Sequence, residues 1–164
     1  MGLQLPGELI SLLGMLGYTW PEADETKLFE MGQRWVDFGG TLASRVGESG
    51  GAAQAVHAAG TGQGFEAFQQ AWTDPEAPDS LLREAVTGTT VVGIGLIVAA
   101  VIVLALKISV IVQLVILAIQ IAQAIATAAV TFGASLAEIP IFKEIAGLII
   151  DQLIGMAIDQ ILGE

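Results

Sequence analysis

From Ala85 to Ala137 the chain carries one charged residue, Lys107. A stretch of that length and apolarity has three places to go: lipid, the protein's own core, or the surface of a partner. The residues before it hold most of the charge. Up to Thr87 there are twelve acidic and four basic residues, against five and two afterwards. An acidic, water-facing part, residues 1–84, therefore precedes a hydrophobic part, 85–137, and a final segment, 138–164, in one helical domain spanning 1–164.

The charge balance removes several classes of function. Net charge is -11 and only 14% of residues are charged, where a globular domain has about 25%. Nucleic-acid binding needs Lys and Arg for phosphate contacts, so it is not expected. Anionic headgroups would repel the chain, so any membrane contact must be hydrophobic. There is no cysteine, which removes disulfides and thiolate metal sites. The apolar N-terminus, MGLQLPGELISLLGMLGY, has no basic residue ahead of its apolar run and does not read as a Sec leader. Pro6 stands where myristoylation wants Ser or Thr after Gly2.

Hydrophobic spacing predicts helices throughout. Leu5, Leu9, Leu12, Leu13 and Leu16 mark a short apolar helix over 6–16. Thr19-Trp20-Pro21-Glu22 reads as a helix start, with Thr19 as cap and Glu22 three residues on. That helix is expected to reach about Ala58. Leu28, Met31, Trp35, Phe38, Leu42 and Val46 form its apolar face, and a break is expected near Ser49-Gly50-Gly51. Gly60 to Gly64 is a turn, residues 65–72 a short helix, and residues 73–80 a connector.

The hydrophobic stretch is far longer than a buried strand, so helix is predicted. Ala85 to Leu106 is about one bilayer long. Two spans would need a turn at Leu106-Lys107-Ile108-Ser109, where no turn residue stands. One helix from Thr87 to Val130 would be about 65 Å long. Ser109, Gln113, Gln120, Gln123, Thr127 and Thr131 share one face, as the outer edge of a soluble bundle or the lining of a pore. A last amphipathic helix runs from about Ile139 to Leu162, with Glu144, Gly147, Asp151, Gly155 and Asp159 on one stripe. The fold class is all-α: a helical hairpin or bundle with one very long hydrophobic helix and a C-terminal amphipathic helix.

No residue set carries catalytic chemistry. His57 is the only histidine, and the carboxylates of the first part are scattered over helix surfaces. Gly60-Thr61-Gly62-Gln63-Gly64 has no preceding strand and no following Gly-Lys-Ser/Thr, so it is a turn and not a phosphate loop. No enzyme activity, metal or cofactor is expected. Gly62 to Trp72 does carry a pattern. Small residues sit at the turn, then Ala67-Phe68, then Trp72 four residues later, as a tight helical hairpin requires. Trp20, Trp35, Gly62, Gly64, Phe65, Phe68 and Trp72 are the residues expected to pack the hairpin or meet a partner.

The segment Gly62, Gly64, Ala67, Phe68 and Trp72 resembles the Trp-x-Gly hairpin proteins of type VII secretion, with Gly60 in place of the diagnostic Trp. The wider chain resembles the WXG-like N-terminal domain of actinobacterial polymorphic toxins, including the CpnT channel-toxin type. That resemblance rests on Leu5-Pro6-Gly7-Glu8-Leu9, Tyr18-Thr19-Trp20-Pro21, Trp35, and the Ala/Ile-rich helix ending in Thr131-Phe132-Gly133-Ala134-Ser135-Leu136-Ala137-Glu138-Ile139-Pro140. It implies a secretion and delivery module, exported by a non-Sec route, that normally precedes a toxin. No toxin follows Glu164, which reads as a separated domain or a stand-alone relative. Tyr18 and Glu22 fit the letters of a Tyr-x-x-x-Asp/Glu export signal, but Pro21 opposes the helix that signal needs. The implied partners are a second copy or a small helical WXG-type protein, together with the secretion machinery. Membrane insertion of the 85–137 segment as a channel or translocation element is the alternative.

Overall fold

The computed structural model describes residues 2–163. Its elements are α1 (Gly7–Met15), α2 (Glu25–Ala58), α3 (Gln63–Thr73), α4 (Pro78–Thr127) and α5 (Ile139–Leu162), with a 3-10 turn at Ala134–Glu138 before α5. No strand occurs among the described residues, and the fold is all-α. Two compact units divide the chain: Met1–Lys27 with Ala99–Glu164, and Leu28–Val98.

In the first unit the core is built on the apolar inner face of α4. Leu5 and Leu13 pack with Val110 and Leu114 of α4 and Ile150 of α5, and Leu9, Leu12, Leu16 and Ile154 close around them. The leucine spacing read from residues 5–16 is thus the spacing of a helix laid across α4. On α5, Ala146, Ile150 and Ala157 face inward. The charged positions Glu144, Asp151 and Asp159 are exposed, but so are Ile141, Ile145, Leu148, Met156 and Ile158, so the exposed side of this helix is only partly polar. Gly147 is half-buried rather than on a solvent stripe, because the Tyr18 hydroxyl donates to its carbonyl at 3.1 Å.

The start of α2 differs from the expected one. Thr19 caps nothing, and residues 18–24 are not helical. Pro21 holds Trp20 away from helical backbone, and the cap moves to Asp24, whose carboxylate accepts the Lys27 N–H at 3.1 Å. Tyr18 and Glu22 therefore do not sit on a helix.

In the second unit α2 runs unbroken through Ser49-Gly50-Gly51. Ser49 is tied there: its hydroxyl donates to Asp79 at 2.7 Å, and Arg83 holds the other oxygen of Asp79 at 2.7 Å. Glycine elsewhere in α2 permits close packing against α4. A Cβ on Gly32 would lie 2.7 Å from the Gly93 carbonyl oxygen, and one on Gly93 would lie 2.8 Å from that of Gly32. The inner face of α2 is therefore small: Gly32, Gly39, Val46 and Ala53 are buried. The large residues Met31, Trp35 and Phe38 are exposed, so Trp35 does not pack on the inner face of α2.

Helix α4 starts earlier and ends earlier than the spacing suggests. Pro78 opens it, as proline does at a first helical position, and it absorbs the last three residues of the expected connector, 78–80. No turn interrupts it at Lys107. It ends at Thr127, and the chain reverses through Phe132 (φ 50) and Gly133 (φ 85).

Candidate functional site

Lys107 is 1% exposed. Its ammonium donates to Glu25 Oε2 at 2.8 Å and to the Ala23 carbonyl at 2.6 Å. The Trp20 ring lies 5.7 Å away, within cation–π range. Glu25 Oε1 accepts the Leu3 N–H, and the Trp20 indole N–H donates to the Leu3 carbonyl at 3.3 Å. Trp20 therefore packs on the ion pair and the N-terminal arm. Burial pushes the Glu25 carboxyl up, but the hydrogen bonds from Lys107 and Leu3 outweigh it and hold the group below its ordinary value. The one charge of the long apolar stretch is thereby neutralised inside the protein.

With Lys107 turned inward, the outer side of α4 is bare hydrocarbon. Val101, Ile108, Val112, Val115 and Ile119 are all exposed, with Ile108 at 49% and Val112 at 48%. Their steps of three, four and seven residues place them on one side of the helix. A contiguous apolar patch of more than a few hundred Å² marks an interaction surface. The polar stripe runs along its flank: Gln113 and Gln120 are half-buried, while Gln123 and Thr127 are exposed. The Thr127 hydroxyl is spent on the Gln123 carbonyl at 2.9 Å.

The hairpin residues of the second unit meet in part. Gly62 has φ 121, a backbone that glycine adopts freely, and it precedes the first turn of α3. Gly64 lies in that turn, where an added Cβ would meet open space. The Phe65 ring covers Gly60, where a Cβ would lie 2.5 Å from the ring. Phe65 thus fills the turn over Gly60. Phe68 and Trp72 stack with ring centroids 5.8 Å apart. A depression of about 300 Å³ lies beside them, lined by Ala77, Pro78 and Leu82. Trp35 stands apart on α2, meeting Phe38 edge-on at 6.3 Å.

The sequence flags Lys107 but not its partner. A buried lysine must find a counter-charge, yet nothing in the spacing selects Glu25 from seventeen carboxylates. No cluster of three or more His, Cys, Asp or Glu able to hold a metal occurs among the described residues.

Taken together, these features define an all-helical protein that exposes large apolar side chains on its helix faces. The chain belongs to the WXG100-like domain family, whose model matches residues 4–149. It is thus a helical protein of the type VII secretion class, a family whose members typically form helical dimers. No curated protein and no solved structure matches it.

Proposed function

We propose that the chain is a non-enzymatic secretion and delivery module of a type VII-secreted, toxin-like protein. It acts by helix–helix association with a small helical partner or with a second copy. The observation that carries this reading is the exposed apolar side of α4, lined by Val101, Ile108, Val112 and Ile119 in a helix whose only mid-stretch charge is buried. Water does not tolerate such a face uncovered. Expression without detergent, followed by fractionation and light scattering, tests it. A discrete soluble dimer or complex is expected, and a soluble monomer overturns the reading.

A second reading has its own support. Among the described residues, the apolar part of α4 and the segment Ala134–Leu162 are both long and apolar enough to cross a bilayer. In this reading α4 enters a membrane as a channel or translocation element, and Gln113, Gln120 and Gln123 face a lumen. Recovery only in membranes, resistant to carbonate extraction, favours it. Replacing the three glutamines by leucine is then expected to abolish conductance in planar bilayers, and unchanged conductance removes the stripe from that role.

A further inference from the structure

The reversal between α4 and α5 is the most exposed apolar feature of the first unit. Phe132 is 100% exposed and Val130 82%. Phe132 also has φ 50, a region that a bulky residue rarely occupies. An aromatic ring held fully in water, on a backbone it does not favour, is not there for the packing of this unit.

Several polar groups of this turn are satisfied within it. The Gly133 N–H donates to the Ala128 carbonyl at 2.8 Å, and the Thr131 N–H to the Thr127 carbonyl at 3.0 Å. The Thr131 hydroxyl donates to the Thr127 carbonyl at 3.0 Å, and the Ser135 hydroxyl to the Ala124 carbonyl at 2.7 Å. The Ser135 N–H in turn donates to the Thr131 hydroxyl at 3.3 Å. Backbone that enters hydrocarbon must satisfy its polar groups internally.

Charge sets the depth and the lipid. No charged residue occurs between Ile108 and Ala137. On the other side, Glu138, Lys143 and Glu144 follow within the 3-10 turn and the start of α5. These charges resist immersion, so the apolar tip reaches the interface and the edge of the hydrocarbon but does not span it. At -11 the chain is repelled by anionic headgroups.

We propose that the α4–α5 turn is a lipid-docking tip: Phe132 and Val130 insert into the interface of a zwitterionic bilayer, with Glu138 near the water line. This rests on the membrane-facing reading of α4 and deepens it by naming the point of first contact, the docked state that precedes any entry of α4.

The chain has no cysteine, so Phe132→Cys in the full chain accepts a single environment-sensitive fluorophore. Lys143→Cys and Phe38→Cys, labelled in the same way, serve as controls. Each protein is mixed with phosphatidylcholine vesicles and floated on a density gradient. Co-flotation is expected, with a blue shift and quenching by bromine-labelled acyl chains at position 132 only. Phe132→Asp is expected to lower partitioning by at least about ten-fold, the loss of one buried aromatic side chain. Failure to float overturns both the tip and the reading beneath it. Flotation with no shift at 132, or undiminished by Phe132→Asp, overturns the tip alone. Stronger binding to vesicles containing phosphatidylserine overturns the choice of lipid. Circular dichroism of Phe132→Asp is expected to match the parent, since the ring touches nothing in the folded chain.

Discussion

Lys107 and Glu25, 82 residues apart, form a buried ion pair at 2.8 Å, and Glu25 gives one oxygen to each side of the contact. Oε2 faces the ammonium of α4, and Oε1 holds the N-terminal arm through the Leu3 N–H. One carboxylate thereby fixes the arm, the start of α2 and the middle of α4 in the first unit. Removing Lys107 leaves that carboxylate buried without a counter-ion, which costs about 3–5 kcal/mol. Lys107→Met is expected to lower unfolding free energy by that amount in urea titration. The double variant Glu25→Gln/Lys107→Met is expected to recover part of the loss, because no uncompensated charge remains. A fully additive cycle would show that the two groups do not interact.

Acid weakens the same contact. The folded-state Glu25 carboxyl lies below its ordinary 4.5. Between the folded and unfolded values the unfolded chain binds more protons, so stability rises with pH across that window. The contribution is complete above 4.5 and is lost as pH falls through the lowered folded value. Tyr18 titrates with the opposite sign. The Asp151 carboxylate beside it, helped by burial, raises its hydroxyl above 10.0. Its contribution is complete below 10.0 and is lost as pH rises through the folded value. Thermal melts against pH are expected to show a shallower acid limb in Glu25→Gln and a shallower alkaline limb in Tyr18→Phe.

The close approach of α2 to α4 within the second unit predicts two glycine substitutions of opposite sign. Gly32→Ala places a methyl group 2.7 Å from the Gly93 carbonyl oxygen, a backbone atom with no rotamer to move. A loss of about 1–3 kcal/mol is expected from overpacking. Gly40→Ala meets nothing within 4 Å in the same helix. It is expected to gain about 0.5–1 kcal/mol from the propensity difference. Calorimetric melting temperatures should move in opposite directions.

This contact also marks where the sequence could be read and where it could not. The absence of turn residues around Lys107 points to one uninterrupted helix, and α4 is one. The leucines of residues 5–16 and the bounds of α5 were legible from spacing alone. The inner face of α2 was legible at Val46 but not at its glycines. Periodicity selects Met31, Trp35 and Phe38 because hydropathy rewards bulk. The structure turns Gly32 inward because two backbones meet there and Gly39 inward because the Thr89 side chain lies against it, and a glycine carries no hydrophobic signal for either approach. The cap at Asp24 was missed for a related reason. Thr19 and Glu22 fit the capping pattern locally, but the indole of Trp20 is engaged by Leu3 and Lys107, which only the folded first unit brings together.

The exposed side of α4 gives the most direct test of association. Ile108 and Val112 lie one helical turn apart, each about half exposed, and neither belongs to the buried cluster that holds α1 and α5 on this helix. An aspartate at either position can reach water in the free chain, so helicity should not change. In an associated state the same carboxylate would be buried without a partner, in an apolar seam that excludes water. Residues at the centre of such an interface contribute about 2 kcal/mol or more, equivalent to about thirty-fold in dissociation constant. Ile108→Asp and Val112→Asp are therefore each expected to shift sedimentation toward monomer by that factor, with unchanged far-ultraviolet circular dichroism. Association that survives both substitutions would place the interface on another surface, of which the exposed Met31, Trp35 and Phe38 of α2 are the next to test.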